Sequence, residues 1–235
     1  MSLAPTFPPL MQGRLAGAQP PFEAALRAAR EGCDAGLILY DPGPAALEAA
    51  IVLAPEVPLA EAMTMLPLCG VSLQNALGAL GPSELAVQLG WFGEIVVNGA
   101  SAGRLRAAAS TADPAAQPDW LVVGLSLDFV PEGDGGDTPD RTALYAEGCG
   151  DLTPEQVLES WSRHLLTGIH RWEDEGIAAL HRDYSGLVHG LGDPMRHGGE
   201  SGTFLGLDER LGLLFKTAGG TRLLPLTQLL EEGRP

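Results

Sequence analysis

Hydrophobic and polar positions along this chain switch between a helical and an extended period, and the switches mark its elements. Residues 22–31 place Ala, Leu and Arg at helical spacing, with Gly32 positioned to end the helix. Residues 36–40 read as a buried strand closed by the turn Asp41-Pro42-Gly43-Pro44. The next apolar run predicts a helical turn over 45–49 passing into a strand over 50–54. Pro58 can open a helix, 59–66 has helix-forming composition, and Pro67 predicts a kink or break. Helical spacing resumes over 71–80, where Leu73, Leu77 and Leu80 share one face.

Residues 84–89 predict a strand leading into Trp91. Residues 94–97 form a short β-rich run, and the pair Asn98-Gly99 separates it from a second run over 104–110. Asn-Gly between two such runs predicts a hairpin, because both residues tolerate positive φ. Residues 120–129 have the continuous apolar character of a strand at a sheet centre. The Gly-, Pro- and Asp-rich stretch 131–141 predicts a surface loop. Thr153, Pro154 and Gln156 make a capping box for a helix reaching about residue 175, where Gly176 stops it. A further helix is expected over 177–184.

The glycine-rich stretch 190–202 reads as a linker. Beyond it, 203–207, 211–217 and 222–225 predict three short strands, and 226–232 a closing helical turn. The pattern divides the chain into an extended N-terminal arm (1–21), a main α+β domain (22–185) and a small β-rich module (186–235). That module is too small for a large core of its own.

Composition narrows the functional classes. Hydrophobic residues make up 45% of 235, enough for a substantial core, and the formal charge is −16. That balance argues against nucleic acid and against anionic membranes, both of which need clustered Lys and Arg. Apolar runs such as 121–127 are too short to span a bilayer. Three cysteines at wide spacing suit free thiols in a reducing cytoplasm, so a cytoplasmic protein is expected. His164 and His170 are six apart and share no helix face as zinc ligands would, so no metal site is expected. No G-x-S-x-G elbow surrounds Ser72, Ser101 or Ser126, and no phosphate-binding Gly-Lys loop is present.

Candidate binding residues gather around the hairpin. Glu94 can accept an N–H or hold a nucleotide-bound metal, and Trp91 can line a ligand pocket or act as a packing anchor. Asn98 is a turn residue first. Gly103 permits close backbone approach, either to a ligand or within a bulge. Arg104 and Arg106, two apart on a strand, point to one face. They are either ligand-facing cations or a solvated pair.

Several segments together resemble the biotin/lipoate protein ligase superfamily over roughly residues 20–235. They are Trp91 with Gly93-Glu94-Ile95, Val97-Asn98-Gly99 and Ala102-Gly103; the strand Trp120-Leu121-Val122-Val123-Gly124-Leu125; and the Thr-Pro-capped helix holding Trp161 and Trp172. Gly202-Thr203-Phe204-Leu205-Gly206-Leu207-Asp208 followed by Gly212-Leu213-Leu214 is similar to the ligases' small terminal barrel. The resemblance implies a mixed sheet flanked by helices, related to class II aminoacyl-tRNA synthetases, plus a β-barrel-like C-terminal module. It also implies that ATP and magnesium activate biotin or a lipoate-like acid, which then passes to an acyl-carrier or biotin-carrier domain.

That chemistry brings a carboxylate against a phosphate, so it needs cations. In this chain no Lys or Arg occurs between residues 32 and 103, where the ligases' Gly-Arg loop belongs. Ser101 stands in the place of their lysine, Phe92 of their proline, Gly93 of their asparagine and Glu94 of their aspartate. The resemblance therefore leaves two functions open. One is a divergent ligase that binds such an acid; the other is a non-catalytic binding or interaction protein, a pseudoenzyme on the same scaffold. The substrate-binding candidates are Trp91, Glu94, Asn98, Ser101, Gly103, Arg104 and Arg106.

Overall fold

The structure, a computed structural model, describes residues 4–131 and 140–231. Its strands are β1 (Gln12–Leu15), β2 (Leu37–Pro42), β3 (Ala46–Leu53), β4 (Val87–Gly90), β5 (Glu94–Val97), β6 (Ala100–Ala109), β7 (Leu121–Asp128), β8 (Val188–His189), β9 (Pro194–His197), β10 (Glu200–Leu207), β11 (Leu213–Thr217) and β12 (Gly220–Leu224). The α-helices are α1 (Pro21–Arg30), α2 (Leu59–Ala62), α3 (Met65–Leu80), α4 (Pro154–Glu175) and α5 (Ile177–Ser185). A 3₁₀ turn, Leu226–Leu229, closes the described chain.

Among the described residues the first eight strands make one mixed sheet in the order β1-β2-β3-β7-β6-β5-β4-β8. The β1/β2 and β4/β8 pairs are parallel and the rest antiparallel. Strand alternation then sorts the side chains. Ile38, Leu47, Ile51, Leu105, Val123 and Leu127 face α3 and α4 in the main core. Leu39, Ala50, Val52, Ala108 and Val122 face Phe22, Ala25 and Leu26 of α1 on the other side. The mixed sheet flanked by helices is as the resemblance implies. Residues expected as an arm include β1, which adds an edge strand through pairs such as Gly13 with Ile38.

The C-terminal module is not a barrel. Its four strands form an open sheet, β12-β11-β10-β9, whose outer strands do not pair with each other among the described residues. Closure is the way a barrel removes free edges and encloses an interior. Here docking covers the apolar face instead. Phe204, Leu213, Phe215 and Leu224 join the same continuous core as the main domain.

Other local expectations change for similar reasons. The helical turn expected over 45–49 is strand from Ala46 onward, because β3 pairs with β7 along its whole length and is covered on both faces. A strand covered on both faces loses its alternation, which makes its apolar run ambiguous. The break near Pro67 falls earlier, at Met63-Thr64, where the Thr64 hydroxyl donates to the Glu61 carbonyl at 2.7 Å. Pro67 then lies in the first turn of α3, where an N–H has no intrahelical acceptor. The glycine-rich linker is a hairpin: β9 pairs with β10 around Gly198-Gly199, both at positive φ. The expected loop over 131–141 lies mostly outside the described residues.

Leu59–Leu80 is long and apolar enough to cross a membrane by composition, contrary to the reading of apolar runs as too short. It is 67% buried inside the protein, against the sheet and α4, as the core helix of this fold is.

Candidate functional site

The hairpin forms as its sequence demands. Asn98 and Gly99 sit at φ 48° and 90°, as a two-residue turn with both centres left-handed requires. The Asn98 side chain is committed to structure: it accepts from the Ala86 N–H at 3.0 Å and donates to Glu147 at 2.7 Å. A bulge falls between Ile95 and Val96, which pair with Gly103 and Ser101 and leave Ala102 extra. The close approach at Gly103 is within the sheet, since a Cβ there would lie 2.2 Å from the Ser126 carbonyl oxygen.

Beyond the bulge, cross-strand pairing assembles a polar row on the face that α1 covers only in part. Asp41 of β2 pairs with Glu48 of β3, Glu48 with Ser126 of β7, Ser126 with Arg104 of β6, and Arg104 with Glu94 of β5. The Ser126 hydroxyl donates to the Glu48 carboxylate. Burial pushes the Glu48 carboxyl above its ordinary range; the Ser126 hydrogen bond and the Arg106 charge oppose that rise. Arg104 is exposed and has no ion pair among the described residues.

Arg106, two residues on, has a different surrounding. Its guanidinium lies 4.0 Å from the centre of the Phe22 ring, 3.5 Å from Glu231 and 4.0 Å from Glu23. It clamps α1 and the C-terminal segment to the sheet.

The row ends in a cleft of about 430 Å³ between the sheet and the C-terminal module. Glu94, Val96 and Ser101 form its floor, and Asp140 and His189 lie at its sides. Phe92, Met195, Phe204 and Leu213 form its apolar wall. The Glu94 carboxylate lies over Gly90, where a Cβ would come within 2.3 Å of it. His189 Nδ1 is 3.3 Å from Gln88 Oε1. Trp91 borders the cleft yet is only 3% exposed, and its indole N–H donates to the Leu211 carbonyl at 2.8 Å. Trp91, Phe92, His197 and Phe215 touch ring to ring in series, edge-on at both ends and stacked between Phe92 and His197, and pin the module in place.

Of the candidates, Glu94, Ser101 and Arg104 share one open face, and Trp91 supports the cleft from behind. Gly103, Asn98 and Arg106 hold the hairpin, the sheet and α1 together. Sequence reading missed Glu48, a lone acid inside an apolar strand, and weighed Ser126 only as a nucleophile. It also missed Asp193, because the stretch around it reads as linker. The connection from β3 to α2, residues 54–58, is short and carries no basic residue.

The chain is similar to known proteins over both of its parts. The pattern of the Biotin/lipoate A/B protein ligase family matches residues 7–186, and that of a domain of unknown function (DUF4444) matches 191–232. A biotin protein ligase-like protein of unknown function from Silicibacter sp. is 56% identical. It superposes with a TM-score of 0.92 over 97% of this chain and 100% of its own. Biotin protein ligase from Aquifex aeolicus, solved with biotin and ATP, is 17% identical with a TM-score of 0.69, over 92% of this chain and 94% of that one. The Leishmania major enzyme with biotinyl-5-AMP is 15% identical with a TM-score of 0.55, over 92% and 99%. No curated protein matches the chain.

Proposed function

The chain belongs to the biotin/lipoate A/B protein ligase family, and we propose that it binds a small carboxylic acid of the biotin or lipoate class without activating it. Arg104 is the observation that carries this reading. It is an exposed cation with no ion pair among the described residues, and its cross-strand neighbour Glu94 lines a cleft of ligand size. A guanidinium donates two parallel hydrogen bonds to a carboxylate, a geometry that lysine cannot reproduce. Relatives of this fold solved with biotin, or with biotin and ATP, support an acid as the ligand class.

The residues present do not fit the triphosphate of ATP. Adenylation sets a carboxylate against a phosphate chain, and several cations must offset that repulsion. Here residues 54–58 carry none, Arg106 is held by Glu23 and Glu231, and Ser101 stands where a lysine would. Glu94 and Glu48 add negative charge on either side of Arg104. A second reading, acyl-adenylate formation followed by transfer to a carrier-domain lysine, rests on family membership alone.

One experiment separates the two. The protein is mixed with ATP, magnesium and biotin, lipoate or octanoate; pyrophosphate is followed, and acid binding is measured in parallel by calorimetry. We expect binding without pyrophosphate release, and an affinity about 10- to 100-fold weaker in Arg104→Ala, the scale of a charge-assisted hydrogen bond. Release that disappears in Arg104→Ala would establish catalysis and sink the non-catalytic reading. No binding of any acid would sink the choice of ligand.

A further inference from the structure

Beneath the hairpin, on the side facing α3, lies a second cavity that the chain itself closes. Leu66 and Pro67 of α3, Leu89 and Leu105 of the sheet, and Leu226 and Leu229 of the C-terminal turn line it. As closed it has a volume of about 10 Å³, room for no more than one water. Tyr184 also lines it. That residue is 3% exposed, and its hydroxyl has no hydrogen-bond partner among the described residues. Burial, and after it the charge of Glu94, pushes the phenol well above its ordinary range, so it stays an O–H donor. Glu94 lines the same cavity, which sets an unused donor and a carboxylate together in apolar surroundings.

The C-terminal cover is lightly held. β6 runs to Ala109, but β5 pairs with it only as far as Arg104, and the edge beyond is met by the segment 226–231. Leu230 bridges in parallel to Ala107, the Glu231 N–H donates to the Ala107 carbonyl at 2.8 Å, and Glu231 lies 3.5 Å from Arg106. A half-exposed ion pair contributes little, and a 3₁₀ turn has poorer hydrogen-bond geometry than an α-helix. Leu226 is buried, whereas residues 227–231 are all partly or fully exposed.

We infer that residues 226–231 are a displaceable plug, and that the cavity behind them takes a small neutral apolar molecule whose oxygen accepts from the Tyr184 hydroxyl. Charge sets the class: an anion would meet Glu94 at close range, and no Lys, Arg or His lines the cavity among the described residues. Withdrawal of Leu226 and Leu229 leaves leucine and proline walls for the apolar body and Tyr184 for the oxygen. Such a ligand is distinct from the acid proposed above, and its binding is independent of Arg104.

The test uses 2-heptanone and heptanoate on the full chain, with calorimetry for binding and amide hydrogen exchange for the plug. We expect 2-heptanone to bind at least about tenfold more tightly than heptanoate, the scale of one close charge repulsion in a partly dry site. Saturation should quicken exchange at residues 229–231 and leave β3 and β7 unchanged. Leu229→Ala and, separately, Glu231→Gln, each checked for native circular dichroism, should tighten binding by loosening the cover. Tyr184→Phe should weaken it about fivefold, the worth of one neutral hydrogen bond. Failure of 2-heptanone to bind the parent and both loosened variants overturns the inference. Binding with exchange at 229–231 unchanged overturns the plug, and equal binding by Tyr184→Phe or of heptanoate overturns the ligand class.

Discussion

Arg104 and Arg106 are two residues apart on one strand and one face, and their surroundings divide their roles. Arg106 meets Phe22, Glu23 and Glu231, all brought in by other segments, so its charge is spent on holding those segments together. Arg104 is exposed, has no ion pair among the described residues and keeps its charge available. Spacing fixes which face a strand residue takes but not what covers that face, so the two looked equivalent in sequence. Glu48 is the residue whose environment has the clearest pH consequence. Its folded carboxyl titrates above its unfolded one, so between those two values the folded state binds the extra proton and stability falls as pH rises. Glu48→Gln removes that penalty and keeps an acceptor for Ser126. The variant should therefore melt higher than the parent at neutral pH, with the difference vanishing on acidification below the ordinary carboxylate range. Thermal melts across pH 3 to 8 test this; a constant difference would show that the Glu48 charge is not responsible.

Elements that announce themselves by local chemistry were legible, and those shaped by burial were not. The capping box at the start of α4 is present as read: Thr153 Oγ1 accepts from Gln156 N–H at 3.3 Å, and Gln156 Oε1 accepts from Thr153 N–H at 2.9 Å. Gly176, at φ 73°, ends that helix. The Asn98-Gly99 hairpin was readable for the same reason, since a turn's backbone needs are met by the residues in it. β3 was misread because coverage on both faces erased its alternation, and Gly198-Gly199 was read as linker though it is a hairpin turn. The polar row was invisible for a further reason. It exists only through the register of five strands far apart in sequence, from Asp41 to Ser126. The capping box gives a test at this scale. Thr153→Ala should cost about 1 kcal/mol, the loss of one N-cap interaction, seen as a lower urea midpoint at unchanged slope. Thr153→Ser should restore most of it. Failure of serine to do so would mean that the threonine methyl, not the cap, is what matters.

At the scale of the molecule, the C-terminal sheet and the main sheet share one apolar cluster, so the module has no separate core to fall back on. That is why it stays open: its buried face is completed by the main domain, and closing on itself would bury the same residues twice. The cleft exists only in this arrangement, because one wall belongs to each part. Trp91 is the joint. It is buried, it stacks edge-on against Phe92 with ring centres 5.0 Å apart, and its N–H reaches a carbonyl 120 residues away. Trp91→Phe keeps an aromatic ring but leaves the Leu211 carbonyl unpaired in a buried place, a cost of about 1–3 kcal/mol. If the joint works as described, that cost falls on docking before it falls on the main sheet. Hydrogen exchange of the β10 and β11 amides should then quicken more than that of β3 and β7, because sub-global opening becomes cheaper than global unfolding. Acid binding should weaken together with it, since an undocked module removes half of the cleft. An even rise in exchange across both sheets would instead make Trp91 an ordinary core residue, with the module held by its other contacts.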